Sequence, residues 1–331
     1  MTFQAGSEKD MLSGKRVNLA ALARRHPLRL VLGITALLVY IYYITASSSW
    51  LPNSSHPAAY LESPREPIPH KIWQIFFGYT PLDELKDLVY QWPTKNQDCS
   101  YTLVSNAGGE KIVRNYYSNR PDILEPFLQL QVPVLRADFL RYMILESEGG
   151  FYSDLDTVPE HPISEWIPQQ YQDQVRFIVG IEYDQGDREP YPGMDRPLQF
   201  CQWTIASAPG HPIIKRAVVR VAEALKAFAS TNQTNIAQLK PEDDDVMKIT
   251  GPVIWTTVIM DVLAEMTGQT VDHTNFTGIT EPKLMADVLV LPIDGFGTGQ
   301  GHSNASRVDG YTPPNAMVRH LWKGSWKLHW G

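Results

Sequence analysis

The sequence predicts an α/β layer fold with a mostly parallel central sheet, preceded by a single N-terminal transmembrane helix. Three observations lead there. Beyond residue 68, apolar runs of strand length alternate with segments of helical period. Residues 30–45 form an uncharged apolar stretch behind a basic leader. The segment Gly149-Gly150-Phe151-Tyr152-Ser153-Asp154-Leu155-Asp156 sets two carboxylates directly after a short aromatic strand, at the edge where open α/β sheets bind ligands.

The chain of 331 residues carries a net charge of −7, which gives no basic face for nucleic acid. Its 43% hydrophobic residues suit a globular protein, and 25 prolines argue against an all-helical bundle. Cys99 and Cys201 are too few for a disulfide framework; they read as buried thiols or as one bridge in an oxidising lumen.

At about 16 residues, the stretch 30–45 lies at the short end of a bilayer span. Lys15, Arg16, Arg24, Arg25 and Arg29 precede it, and no Lys or Arg follows until Arg65. That asymmetry keeps residues 1–29 cytosolic and makes the chain a single-pass type II membrane protein with a luminal catalytic domain. The rival is a cleaved signal peptide, against which stand the long leader and the lack of a small-residue cleavage site. Residues 46–66 are rich in Ser and Pro and read as a luminal stem; 67–331 form the folded domain. Asn53, Asn232, Asn275 and Asn304 open Asn-x-Ser/Thr sequons, candidate glycosylation sites that agree with a lumen.

The elements follow in order. Residues 72–76 read as the first strand, 83–91 as a short helix, 101–105 as a strand and 110–117 as a helix. Phe139, Leu140, Met143, Ile144 and Leu145 give 137–147 the spacing of an amphipathic helix, closed by Gly149-Gly150. Strands are predicted at 151–155, 176–182, 202–206 and 288–292, and helices at 211–228, with Pro212 in the first turn, and at 252–266. The acidic run 242–245 reads as a solvated loop.

In an extended segment, residues i and i+2 share a side, so Asp154 and Asp156 are expected to face one divalent cation, which can hold a diphosphate. Alone, the pair also fits a solvated strand end. Asp138 and Arg141 lie about one helical turn apart; they can clamp a phosphate and a ribose, or form a local ion pair.

The pattern Arg136-Ala137-Asp138, Arg141-Tyr142, Gly149-Gly150, Tyr152, Asp154 and Asp156 resembles the donor-binding signature of glycosyltransferase family 32. Arg196-Pro197-Leu198-Gln199-Phe200-Cys201-Gln202-Trp203, Gly210-His211-Pro212, Thr250-Gly251-Pro252 and His320 with Gly324-Ser325-Trp326 extend the likeness over residues 68–330, toward the fungal Golgi α-1,6-mannosyltransferase branch. The resemblance implies a GT-A type nucleotide-sugar-binding fold. It implies a metal-dependent retaining mannosyltransferase that uses GDP-mannose, an N-linked glycan acceptor and a divalent metal, Mn²⁺ foremost, with membership of a Golgi mannosyltransferase complex. Asp154, Asp156 and His320 would then ligate metal. Asp138, Arg141, Tyr152, Asp154, Ser325 and Trp326 would hold the donor, and Lys323 and Lys327 would favour the leaving diphosphate. Asp154 and Asp156 are also counted as catalytic, and Glu182 and Asp184 are candidates for facing the sugar. One departure is the run Gly299-Gln300-Gly301-His302-Ser303-Asn304-Ala305-Ser306, where the family carries a further glycine after the histidine. Readings that stay open are an inositol phosphorylceramide mannosyltransferase, a UDP-sugar enzyme, and a non-catalytic sugar-binding protein.

Overall fold

Seven strands form one twisted sheet with the order β2-β1-β3-β6-β5-β8-β7 in a computed structural model. It describes residues 66–78, 82–194, 196–299, 303, 305–306 and 312–323. The expected cytosolic tail, the anchor at 30–45 and all but the last residue of the stem lie outside the described residues. So do Asn53, His302, Asn304, Gly324, Ser325, Trp326 and Lys327.

β1 (Lys71–Ile75) pairs in parallel with β2 (Ser100–Val104) and with β3 (Gly150–Ser153). β6 (Leu198–Ser207) runs antiparallel between β3 and β5 (Phe177–Asp184). β8 (Val288–Leu291) is parallel to β5, and β7 (Lys283–Met285) closes the edge antiparallel to β8. Five strands therefore run one way, and only β6 and β7 run against them. β3, β5 and β8 are buried along their whole lengths, as strands covered on both faces must be.

Strand alternation sorts the core into two layers. Trp73, Tyr152, Val179, Ile205 and Val290 face the larger cluster, built with the helices. Ile72, Phe151, Ile178, Ala206 and Leu289 face a smaller one with Trp92, Trp166 and Phe296. The helices, in chain order, are α1 (Leu82–Val89), α2 (Gln91–Lys95), α3 (Asn106–Tyr116), α4 (Pro121–Gln129), α5 (Pro133–Glu148), α6 (Pro212–Thr231), α7 (Asp243–Ile249), α8 (Pro252–Thr267) and α9 (Ile293–Gly297).

Two expectations are corrected. The amphipathic helix at 137–147 is α5, longer than expected and buried on nearly every side, including Arg136, Asp138, Arg141 and Glu146, because it lies under α6 against the sheet. The acidic loop at 242–245 is the cap and first turn of α7: the Asp245 carboxylate accepts the Glu242 N–H at 2.9 Å. Acidic groups there favour the helix dipole. α4 and the short strands were not legible in the sequence. Cys99 and Cys201 are both free thiols, the second fully buried.

Among the described residues one stretch, Asp243–Thr267, is long and apolar enough to cross a membrane, and 61% of its apolar window is buried. It is α7 and α8 joined at Thr250-Gly251, packed against α6 and β6.

Gly150 is required where β3 meets β1. Its φ is +102°, and a Cβ there would meet Lys71 O at 2.4 Å. His211 caps α6: its Nδ1 accepts the Ile213 N–H at 3.2 Å, which leaves Nε2 to donate to Asp287 Oδ1, also at 3.2 Å. The Gly210-His211-Pro212 block is thus architectural.

Candidate active site

β3 ends at Ser153, and the two aspartates lie in the turn that follows it. The extended alternation expected to aim them together does not apply. The turn is locked from several sides. Thr157 Oγ1 donates to Asp154 O at 2.5 Å, Asp154 N donates to Trp203 O at 2.8 Å, and Gln74 Nε2 donates to Asp154 O at 2.9 Å. Ser153 Oγ bonds Thr204 Oγ1 at 2.7 Å.

What brings His320 to Asp156 is a second, two-stranded sheet. β4 (Thr157–Pro159) pairs antiparallel with β9 (Val318–His320), and Thr157 lies opposite His320. His320 Nε2 lies 3.0 Å from Asp156 Oδ1. The chain beyond His320 then wraps the same aspartate: Leu321 N donates to Asp156 O at 2.8 Å, and Lys323 N donates to Asp156 Oδ2 at 2.9 Å. One ligand atom from each of Asp154, Asp156 and His320 falls within 4.8 Å of the others. Burial alone would raise the Asp156 carboxyl; the hydrogen bond and charge of His320 and the Lys323 amide outweigh it, and its pKa is lowered. Two carboxylates and one imidazole suit a divalent cation that accepts oxygen and nitrogen.

Behind this triad lies a buried ion-pair network. The Arg141 guanidinium pairs with Asp138 through Nη2 and with Asp154 Oδ1 through Nη1 at 3.2 Å. Desolvation would lower the Arg141 pKa, but Asp154, Tyr152 and Asp138 overcome it, and the guanidinium is held charged. Tyr152 OH donates to Asp154 Oδ1 at 2.5 Å while its ring lies 4.9 Å beneath the Arg141 Cζ. Asp154 Oδ1 is therefore held by Arg141 and Tyr152, and no described residue bonds its Oδ2.

Asp138 is enclosed at 1% exposure. Its oxygens take Arg141, the Thr250 hydroxyl at 2.8 Å and the Gln202 amide at 3.4 Å. Burial raises its carboxyl against the opposing pull of Arg141. Its direct partners are thus protein groups, and it bears on the site through Arg141. Tyr142 completes the network, donating to Gln202 Oε1 at 2.7 Å and Thr250 O at 3.0 Å. Sequence blocks more than a hundred residues apart converge on this single cluster.

The two further candidate carboxylates separate. Asp184 is engaged by backbone, with Oδ1 accepting Gly186 N at 3.1 Å and Oδ2 accepting Gly278 N at 2.7 Å. It ties two loops together, and the structure does not turn it toward the triad. Glu182 accepts a hydrogen bond from Gln199 at 3.1 Å and lies within electrostatic reach of His320 and Asp154. Burial pushes its carboxyl up to about 7.

Sequence reasoning missed the aromatic wall. Trp203 stacks on His320 with centroids 4.6 Å apart and 28° between planes, and Trp322 stands edge-on to Trp203 at 5.8 Å. Trp203 was quoted within a motif; its contact with a residue 117 positions away carries no local signal. Arg141 Nε and His320 Nδ1 are buried without a hydrogen-bond partner, the kind of vacancy that occurs at ligand sites. Of the sequons, Asn232 is exposed at the end of α6 and Asn275 is half-buried.

A family model described as "Glycosyltransferase sugar-binding region containing DXD motif" matches residues 83–173, the segment that holds Asp138, Arg141, Asp154 and Asp156. The initiation-specific alpha-1,6-mannosyltransferase of Schizosaccharomyces pombe is 36% identical over 264 residues, covering 78% of this chain. The chain spans 64% of that relative's length. The enzyme of the same name from Candida albicans is 30% identical over 309 residues, covering 86% of this chain and 78% of the relative. Among solved structures, the PaToxG glycosyltransferase matches with a TM-score of 0.40 at 18% identity, over 67% of this chain and 80% of that one, a likeness that carries no argument. With Asp138, Arg141, Asp154 and Asp156 inside the matched region 83–173, the chain belongs to the DXD-containing glycosyltransferase family of the fungal initiation-specific alpha-1,6-mannosyltransferases.

Proposed function

We propose that this protein is a metal-dependent retaining mannosyltransferase that moves mannose from GDP-mannose to an N-linked glycan through an α-1,6 linkage. The observation that carries the reading is the convergence of Asp154, Asp156 and His320 beside a guanidinium that is held charged. The names of the relatives support the sugar and the linkage.

A divalent metal held there, Mn²⁺ by the imidazole's preference, would supply positive charge to the diphosphate as the sugar leaves. Asp154 and Asp156 present the carboxylate oxygens and His320 the nitrogen. Arg141 fixes Asp154 and adds a cation that needs no reorganisation during reaction, because Asp138, itself held by Thr250 and the Gln202 amide, and the Gln202 carbonyl hold it in place. Lys323 follows on the segment wrapped around Asp156 and adds charge at the mouth. Trp322, 42% exposed, offers apolar ring surface that suits a pyranose face, while Trp203, 3% exposed, stacks on His320 and fixes its plane. Glu182, buried and with a raised pKa, is the carboxyl best placed to bear on the sugar from the β5 side. Attack from the front face, with the departing diphosphate taking the acceptor proton, uses the same residues.

The basic leader, the apolar stretch 30–45 and the sequons support a Golgi type II membrane protein acting in the lumen, and a place in a Golgi mannosyltransferase complex is part of this reading. The test is GDP release and product analysis with the full-length protein in detergent, Mn²⁺ and a panel of GDP- and UDP-sugars. Turnover of GDP-mannose with an oligomannose acceptor is expected. Turnover of a UDP-sugar alone would overturn the donor, and protection patterns that place the domain in the cytosol would overturn the topology.

A further inference from the structure

A surface groove of about 580 Å³ opens between α1–α2 and β4. Lys86, Asp87, Tyr90, Lys95, Val158 and Glu160 are among the residues that line it. Tyr90 is 65% exposed, the most exposed large hydrophobic side chain among the described residues.

The groove is joined to the Asp154–Asp156 turn by covalent chain and hydrogen bonds. β4 begins one residue after Asp156, so Val158 lies about 7 Å further along the strand. Trp92, on the same helix as Lys95, donates from Nε1 to Thr157 Oγ1 at 3.1 Å, and that hydroxyl donates to Asp154 O at 2.5 Å. Lys95 Nζ donates to Glu160 O at 2.9 Å. Arg319, the neighbour of His320, donates to Glu160 Oε1 at 2.7 Å. The groove and the candidate metal turn are parts of one braced unit.

We infer that this groove is the subsite for the acceptor oligosaccharide, with the Tyr90 ring as its stacking platform. The inference rests on the glycosyl-transfer reading of the triad and adds to it where the acceptor lies. Charge decides the class of occupant. Among the described lining residues two lysines stand with two carboxylates, with no unopposed cationic cluster of the kind that captures phosphate. An exposed phenol ring amid hydrogen-bonding side chains matches a neutral sugar, which offers apolar C–H faces and hydroxyl edges. The occupant is a neutral oligosaccharide extending away from its reacting end, while the hydroxyl that receives the new sugar lies nearer Asp156.

The test titrates an oligomannose N-glycan, methyl mannoside and inositol phosphate onto full-length protein, wild type and variants. Tyr90→Ala is expected to weaken oligomannose binding about tenfold, with little change for methyl mannoside. GDP binding with Mn²⁺ should be unchanged, and Tyr90→Phe should restore glycan binding. Because Tyr90 is exposed, Tyr90→Ala is expected to fold normally, checked by its thermal transition. Wild-type glycan affinity in Tyr90→Ala overturns the subsite, and tighter binding of inositol phosphate than of oligomannose overturns its occupant. GDP-mannose turnover is assayed separately: its absence counts against the transfer reading alone, and the glycan titration still decides the groove.

Discussion

His320 Nε2 and Asp156 Oδ1 meet at 3.0 Å although 164 positions separate them in the chain. The contact is built by backbone pairing of β4 with β9 and by two main-chain N–H groups that close on Asp156. The candidate metal-binding triad is thereby made conditional on the fold of the C-terminal segment.

Asp156→Ala removes one ligand and two of the bonds that hold this segment. Mn²⁺-dependent transfer is expected to fall at least about 100-fold. The protein should still fold, because the Leu321 N–H to Asp156 O bond uses main chain and survives the substitution. Initial rates and a thermal melt check both halves; normal turnover would sink the triad.

Asp138→Ala leaves the Arg141 guanidinium buried with one carboxylate fewer. Breaking a buried pair costs about 3–5 kcal/mol, and Asp138 is 1% exposed. Urea unfolding should show a loss in that range together with weaker donor binding, since Arg141 also fixes Asp154. A loss below about 1 kcal/mol would mean that the pair is not a structural support.

Glu182 governs a pH dependence of stability. Burial raises its folded pKa to about 7 from an ordinary value of 4.5. The folded state therefore holds a proton that the unfolded state releases. This contribution is fully present below pH 4.5 and is lost as pH rises through about 7. In metal-free protein, Glu182→Gln should flatten the fall in stability across that window. An unchanged slope in denaturant melts taken at several pH values would count against it.

Asp245→Ala tests the corrected reading of the acidic run. Loss of its hydrogen bond to the Glu242 N–H should cost about 1 kcal/mol. Mn²⁺ affinity should stay the same, because the run caps a helix. A drop in metal affinity would count against a purely capping role.

The sequence determined what local pattern can carry. Periodicity found the buried strands and the long helices, because burial on both faces of a sheet demands continuous apolar runs. Residue chemistry singled out Asp154, Asp156 and Arg141, and the family resemblance added His320. Tertiary structure decided how those groups meet. The turn after Ser153 replaced the expected extended pair, and β9 delivered His320. Helix α5 proved buried nearly all round because Asp138, Arg141 and Tyr142 find partners in Gln202 and Thr250, which local spacing cannot reveal. Trp203 and Tyr90 gained their places in the same way, since stacking and groove formation depend on elements far apart in the chain. The acidic run was misread for the converse reason: a capped first turn and a solvated loop have the same composition, and only the hydrogen bond from Glu242 to Asp245 separates them.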